Sequence, residues 1–233
     1  MSNLVDTAFD VYSDTPVGKD PDRFSSILRH YHQILWSKPL PDGTSFNLSA
    51  NYPRAYLHHQ SNRGEFFLSS DAFTHTYRNV KAMAPIIQEI PALELDAFFS
   101  VCSTIGAYIV FPSQRINGKP TINGARGLSW KIRDRSDLTL ECIRRYYVGE
   151  ESPLGTVLGR YAGFFDLFGS FDAYVEFFLL QDLVMGHTRS INFFLPFDDF
   201  RSNPLPSDIK EYRFYKERQV AFVIARNKRI SQM

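Results

Sequence analysis

The run Ala107-Tyr108-Ile109-Val110-Phe111 divides the chain into two textures. Together with Glu65-Phe66-Phe67-Leu68-Ser69 it has the aromatic and β-branched content of strands, and before it Pro39, Pro41, Gly43, Pro53 and Gly64 punctuate short segments. This early portion is expected to contribute a small sheet. From Asp134 onward the hydrophobic period becomes helical. Sheet material early and helices late argue for an α+β fold, a small antiparallel or mixed sheet from the N-terminal half packed against a helical C-terminal half, rather than alternating βαβ units.

Working outward, Asp20-Pro21 reads as an N-cap followed by proline at the first helical position, opening a helix from Pro21 to Trp36 that stops before Pro39. Asp137 to Tyr147 is a second helix. Ser152-Pro153 starts a third, with Leu154, Leu158, Tyr161, Phe165 and Phe168 on one stripe, and Ser170 caps a fourth. Ile191 to Leu195 could form another strand, and a last helix runs from Asp208 to about Lys228. Asn117-Gly118 and Asn123-Gly124 are turn candidates, because both residue types tolerate positive φ. There is no internal repeat, and residues 1–233 read as a single globular domain.

Composition sets the outer bounds. The chain has 233 residues, 44% hydrophobic and 22% charged, which excludes collagen-like, low-complexity and largely disordered classes. The net charge of +1 gives no global preference for DNA, RNA or membrane. The first ten residues carry Asp6 and Asp10 with no basic residue and no long apolar core, so no leader is expected and the expected location is the cytoplasm. The apolar stretch from Phe98 to Phe111 is broken by Ser100, Ser103, Thr104 and Gly106, well short of the roughly 20 residues that span a bilayer. Cys102 and Cys142 lie in apolar surroundings with no Cys-x-x-Cys spacing and read as reduced core thiols.

Charge is unevenly distributed, and this is the informative electrostatic fact. Between Ser113 and Tyr147 eight basic residues face three acids. Within that block Lys119, Asn123, Arg126, Lys131, Arg133, Arg135, Arg144 and Arg145 form a candidate anion site: guanidinium forks match phosphate oxygens, and Gly124 and Gly127 would let backbone N–H groups approach the same ligand. The competing reading pairs Arg144 and Arg145 with Glu141 at i+3 and i+4 on one helix. The basic closing helix would then be a solvated face docked on the acidic phenylalanine-rich helices.

Of the histidines, His30 and His32 stand two apart on one helix and cannot chelate one metal. His58, His59 and His75 fall in the strand-rich part and are the candidates for acid–base work. Adjacent strand residues point to opposite faces, so at most one of His58 and His59 faces any given cleft. Walker, dinucleotide-binding, zincin and nucleophile-elbow motifs are absent, and nothing calls for a cofactor or a metal. The 21 phenylalanines sit among acids, so they read as core rather than as a base-stacking surface, which interleaves aromatics with lysine and arginine.

Trp36-Ser37-Lys38-Pro39-Leu40-Pro41, Gly64-Glu65-Phe66-Phe67-Leu68-Ser69-Ser70-Asp71, Ile122-Asn123-Gly124-Ala125-Arg126-Gly127, Asp137-Leu138-Thr139-Leu140-Glu141-Cys142-Ile143-Arg144-Arg145 and Phe177-Phe178-Leu179-Leu180-Gln181-Asp182-Leu183-Val184 together resemble an uncharacterised bacterial family of soluble, single-domain proteins. The resemblance covers nearly the whole chain. It implies a bacterial cytoplasmic protein that stands alone and carries over no functional residue.

The functional expectation is therefore an anion binder, with RNA or another nucleic acid as partner. Metal-independent RNA cleavage by a histidine, as in a toxin or phage-defence effector, is an optional second step. The alternative is a non-enzymatic interaction protein that assembles as a homodimer or with a partner protein.

Overall fold

The structure is a computed structural model and describes residues 4–186 and 189–233. The expected first helix is broken in two. α1 (Pro21–Phe24) is capped by the Asp20 side chain, and α2 (Ser26–Trp36) is capped by Ser25, whose Oγ accepts from the Leu28 N–H. Ser25 is extended at φ −70° and ψ 111°, and that geometry ends one helix while capping the next.

Among the described residues the chain then forms two sheets, each antiparallel. β1 (Lys38–Pro39) pairs with β2 (Ser45–Phe46), and β3 (Leu57–Ser61), β4 (Gly64–Ala72) and β5 (Tyr108–Pro112) lie in the order β3-β4-β5. The two segments that signal strands in the sequence are direct neighbours, with Ser69 opposite Phe111 and Asp71 opposite Ile109. Between them lie the short α3 (Ala84–Ile87) and α4 (Ala92–Cys102).

Helices follow as expected, though in shorter pieces: α5 (Ile122–Leu128), α6 (Ser136–Val148), α7 (Gly155–Gly159), α8 (Ala162–Phe165), α9 (Phe171–Phe177) and α10 (Ile209–Ile230). Asn123-Gly124 is not a turn. Thr121 caps α5 through the Gly124 N–H and buried Ile122 anchors it, so the pair is helical, whereas Asn117-Gly118 does turn with φ of 54° and 71°. The stripe after Ser152 splits into α7 and α8, where Gly155, Gly159 and Gly163 weaken helix propensity. The expected strand at Ile191–Leu195 is reduced to one bridge, Val184 to Ile191.

One hydrophobic cluster runs from Val5 to Ile230. Its aromatic centre gathers Trp36, Phe168, Phe177 and Phe178, with ring centroids 5.0–5.3 Å apart for Phe168–Phe177, Phe168–Phe178, Phe177–Phe178 and Trp36–Phe178. Most of the phenylalanines are core, as their acidic neighbourhood suggests, while Phe24 and Phe214 are exposed. Cys102 and Cys142 are free and buried, and burial pushes both thiols up to about 12.

The long α10 packs on α4 and on the turn that leads into β5, and one of its cations is internal rather than solvated. Arg226 is fully buried and donates to the carbonyls of Phe178 (3.0 Å), Gly106 (2.9 Å) and Tyr108 (2.7 Å), stitching α10 to the entry of β5. Gly106 is the tightest point of that seam. A Cβ there would stand 2.5 Å from Asn227 Oδ1 and 2.8 Å from the Val223 carbonyl oxygen, a backbone atom that cannot move aside. Gly106→Ala is expected to lower stability by about 1–3 kcal/mol in urea denaturation. A loss below the precision of that measurement would show that α10 slides freely on β5.

Candidate functional site

The basic block of the sequence does not form one surface. Arg126, on α5, is 0% exposed, and each arm of its guanidinium is engaged: Nε donates to Thr139 Oγ1 at 2.9 Å, Nη2 to the Asp134 carbonyl at 3.1 Å, and Nη1 pairs with Asp71 on β4. Arg135 is 2% exposed, bidentate to Asp137 at 3.1 and 2.5 Å, with Nη1 on the Pro204 carbonyl at 2.9 Å. These two residues are corrected from ligand contacts to internal struts, because their donors are already spent on protein acceptors.

Arg144 and Arg145 follow the competing reading. Both pair with Glu141, at 2.8 and 2.7 Å, and extend the network to Glu150 and Asp199. Asn123 turns inward and donates to the Ser70 carbonyl at 3.2 Å.

Lys119, Lys131 and Arg133 remain. Lys119 and Arg133 are exposed and Lys131 is half-buried, and none has a carboxylate within ion-pair distance among the described residues. Lys131 and Arg133 share the loop between α5 and α6 with an aromatic that the sequence reading passed over. Trp130 is 53% exposed beside Leu128 at 76%, and the Lys131 ammonium lies 5.4 Å from the indole centroid. The available signal was the interleaving in Trp130-Lys131-Ile132-Arg133 itself.

The loop is held in a strained shape. Arg133 and Asp134, neither of them glycine, have φ of 48° and 58°. Such residues cost on the order of 1–3 kcal/mol each and persist only where surrounding contacts over-determine them. Here those contacts are the Arg126 bond to the Asp134 carbonyl, the Tyr77 hydroxyl on the Arg133 carbonyl at 2.7 Å, and buried Ile132. Behind the loop lies a cleft of about 190 Å³, lined in part by Lys131, Phe197, Asp198, Ser202 and Asn203. The interior arginines thus position a basic aromatic loop rather than contact a ligand.

The three candidate histidines do not converge. His58 and His59 point to opposite faces of β3, as alternation requires. His58 stacks on Tyr52 with centroids 3.9 Å apart and meets Glu65 at 2.8 Å. His59 donates from Nδ1 to the Asn47 carbonyl at 3.0 Å and packs on Phe46, and burial lowers its pKa. His75 lies beyond β4, with its backbone clamped by Gln219 and Tyr215. Its Nδ1 accepts from the Tyr77 N–H at 3.0 Å, so the neutral ring carries its proton on Nε2. Burial lowers the His75 pKa while Asp134 opposes that shift. His187 lies outside the described residues.

A second polar system has no sequence signature at all. β4 directs Asp71 to α5 and Ser70 to the opposite face. There the Trp36 indole N–H donates to His32 Nδ1 (3.0 Å), His32 Nε2–H to Ser70 Oγ (3.0 Å), the Ser70 hydroxyl to Asp22 Oδ1 (2.7 Å), and the Ala72 N–H to Asp22 Oδ2 (3.2 Å). Burial raises the Asp22 carboxyl to about 6, and burial followed by the Arg226 charge lowers His32 to about 3. His32 donates to Ser70 rather than accepting from it, and Ser70 is 2% exposed, so this chain is not an activated nucleophile. Among the described residues no three His, Cys, Asp or Glu side chains gather in metal-binding geometry, and no helix is long and apolar enough to cross a membrane.

A three-stranded antiparallel sheet clamped by a long terminal helix, with a basic aromatic loop braced from within by buried arginines, defines a small α+β protein whose candidate site is loop-borne. The chain belongs to a family of unknown function (DUF6994), whose family model matches residues 5–230. No curated protein and no solved structure matches it.

Proposed function

We propose that the protein binds single-stranded nucleic acid, RNA foremost, through the loop between α5 and α6. The observation that carries this reading is an exposed Trp130 flanked by Lys131 and Arg133 on a backbone held rigid from the interior. An indole face stacks on any base for about 1–3 kcal/mol, and cations beside it neutralise phosphates. Because the loop is ordered before binding, little conformational entropy is lost on contact. Lys119, exposed on the segment that leads into α5, is a third cation for the strand.

The histidines add no support for cleavage or for an effector role. His58 is engaged by Glu65, His75 presents an N–H rather than a lone pair, and the His59 Nε2 lone pair is buried away from any substrate, so none is arranged as a general base. The reading is therefore binding without turnover. It places the protein in the cytoplasm, where nucleic acid coexists with conditions that keep Cys102 and Cys142 reduced.

The chain has two tryptophans and Trp36 is fully buried, so emission that responds to ligand reports Trp130. Titrating a uridine oligonucleotide should quench it, and Trp130→Ala should weaken binding about 10-fold by fluorescence anisotropy. Lys131→Ala with Arg133→Ala should flatten the slope of log affinity against log salt by about 1.4. Arg144→Ala, whose guanidinium is held by Glu141, should leave affinity unchanged. Equal affinity in Trp130→Ala, or a salt-insensitive dimer that buries Trp130 without nucleic acid, overturns the proposal in favour of assembly.

A further inference from the structure

Trp36-Ser37-Lys38-Pro39-Leu40-Pro41 takes no part in the loop. As the chain leaves α2 and enters β1, Lys38 folds back over the aromatic centre, its ammonium 4.6 Å from the Phe177 centroid and 5.3 Å from the Trp36 ring. The Arg226 guanidinium lies 5.6 Å from that same indole, so two cations share one ring. Glu176 is near enough to act on Lys38 through its charge but makes no ion pair with it.

Burial first, and Arg226 second, push the Lys38 ammonium down to about 8, against the weaker pull of Glu176. At pH 7 about one Lys38 in ten is then the free amine, against fewer than about one in a thousand for an ordinary lysine. The side chain is half-buried and borders a cleft of about 290 Å³ walled by Pro39, Leu40, Pro41 and Phe177, with Glu176 the one carboxylate among the lining residues.

We propose that Lys38 is a reactive amine and that this cleft takes a small neutral carbonyl compound, an aldehyde or ketone, which Lys38 captures as a Schiff base. Pro39 and Pro41 bring no N–H donor to the rim, and Glu176 repels anions, so the wall favours an uncharged ligand. The amine lone pair attacks the carbonyl carbon. A C–N bond forms as the C=O π pair moves to oxygen, and the carbinolamine then loses that oxygen as water, taking both nitrogen protons into the balance of a neutral imine. No oxidant or reductant is consumed. Glu176 is the group on the rim that can carry protons to the departing hydroxyl. The inference is independent of nucleic-acid binding.

The test uses the whole protein, benzaldehyde as probe, and cyanoborohydride to trap the adduct, with peptide mapping by mass spectrometry. Lys38 should be labelled first, ~10-fold or more faster at pH 7 than exposed Lys19, Lys81 and Lys119, because its own free-amine fraction is raised. Its rate should have a midpoint at about 8. Glu176→Gln, which removes the charge that pulls the Lys38 pKa up, should move the Lys38 midpoint to lower pH and leave the other lysines unchanged, and Lys38→Arg, checked for fold by circular dichroism, should remove the fast phase. Even labelling across the lysines, or a Lys38 midpoint at the ordinary lysine value, overturns the proposal on wild-type protein alone.

Discussion

Asp137→Ala is expected to lower folding stability by about 3–5 kcal/mol, a large share of the ~5–15 kcal/mol that holds a domain together. Asp137 is 0% exposed, in the first turn of α6, and accepts three hydrogen bonds: two from Arg135 and one from the Phe194 N–H at 2.8 Å. Burial alone would pull the Arg135 pKa down, yet Asp137 raises it overall, so the carboxylate compensates a cation that stays charged in the interior. Removing it leaves an uncompensated charge, an orphaned backbone donor and a void at one point. Asp137→Asn keeps the shape and one acceptor and should lose less. Arg135→Met with Asp137→Leu should recover most of the deficit, because the desolvation cost leaves with the charges, although the Phe194 N–H stays unpaired at ~1–3 kcal/mol. Urea denaturation of the three variants checks this. A deficit below about 1 kcal/mol in Asp137→Ala would mean that water reaches the pair.

The same pair shows what the sequence could and could not convey. Arg144 and Arg145 were readable because their partner Glu141 is three and four residues away, and helix geometry alone makes them neighbours. Arg126 was not, since its partner Asp71 is 55 residues distant on another element, and neither was Arg135, whose partner Asp137 is only two residues on, a spacing that no helix rule pairs, and whose remaining donor meets a carbonyl 69 residues away. A guanidinium facing a ligand and one facing the core look alike in sequence, and only long-range packing separates them. Strands β4 and β5, the caps at Asp20 and Ser170 and the start of the last helix at Asp208 were legible because they follow from local propensity. Trp130 was missed although its basic neighbours offered a local signal, because the aromatics as a group read as core. The relay through Trp36, His32, Ser70 and Asp22 joins two helices to β4 across as many as 48 residues, and no local rule announces it.

That relay produces the second large effect, which appears only when it is cut. Unfolded, His32 titrates near 6.5 and Asp22 near 3.8; folded, they titrate at about 3 and about 6. At pH 5 the unfolded chain therefore holds one proton on the imidazole and the folded chain holds one on the carboxyl. Proton counts match, so the pair gives almost no slope of stability with pH between about 4 and 6. Each half alone has a steep slope of opposite sign. A histidine with a depressed pKa contributes stability that is present above its unfolded pKa and lost as pH falls. An aspartate with a raised pKa disfavours folding once ionised, so its contribution is full below its unfolded pKa and lost as pH rises through 6. Asp22→Asn is thus expected to be more stable than wild type at pH 7.5, where it removes a buried anion. That advantage should shrink by about 1.4 kcal/mol per pH unit from 6 to 4, or roughly 3 kcal/mol in total. His32→Gln should show the mirror image against wild type, gaining ground as pH falls over the same window. Differences taken from wild type in urea titrations at each pH cancel the other carboxylates and histidines. Two pH-independent offsets would show that Asp22 and His32 keep their ordinary charges in the folded protein, and that water enters the relay at Ser70.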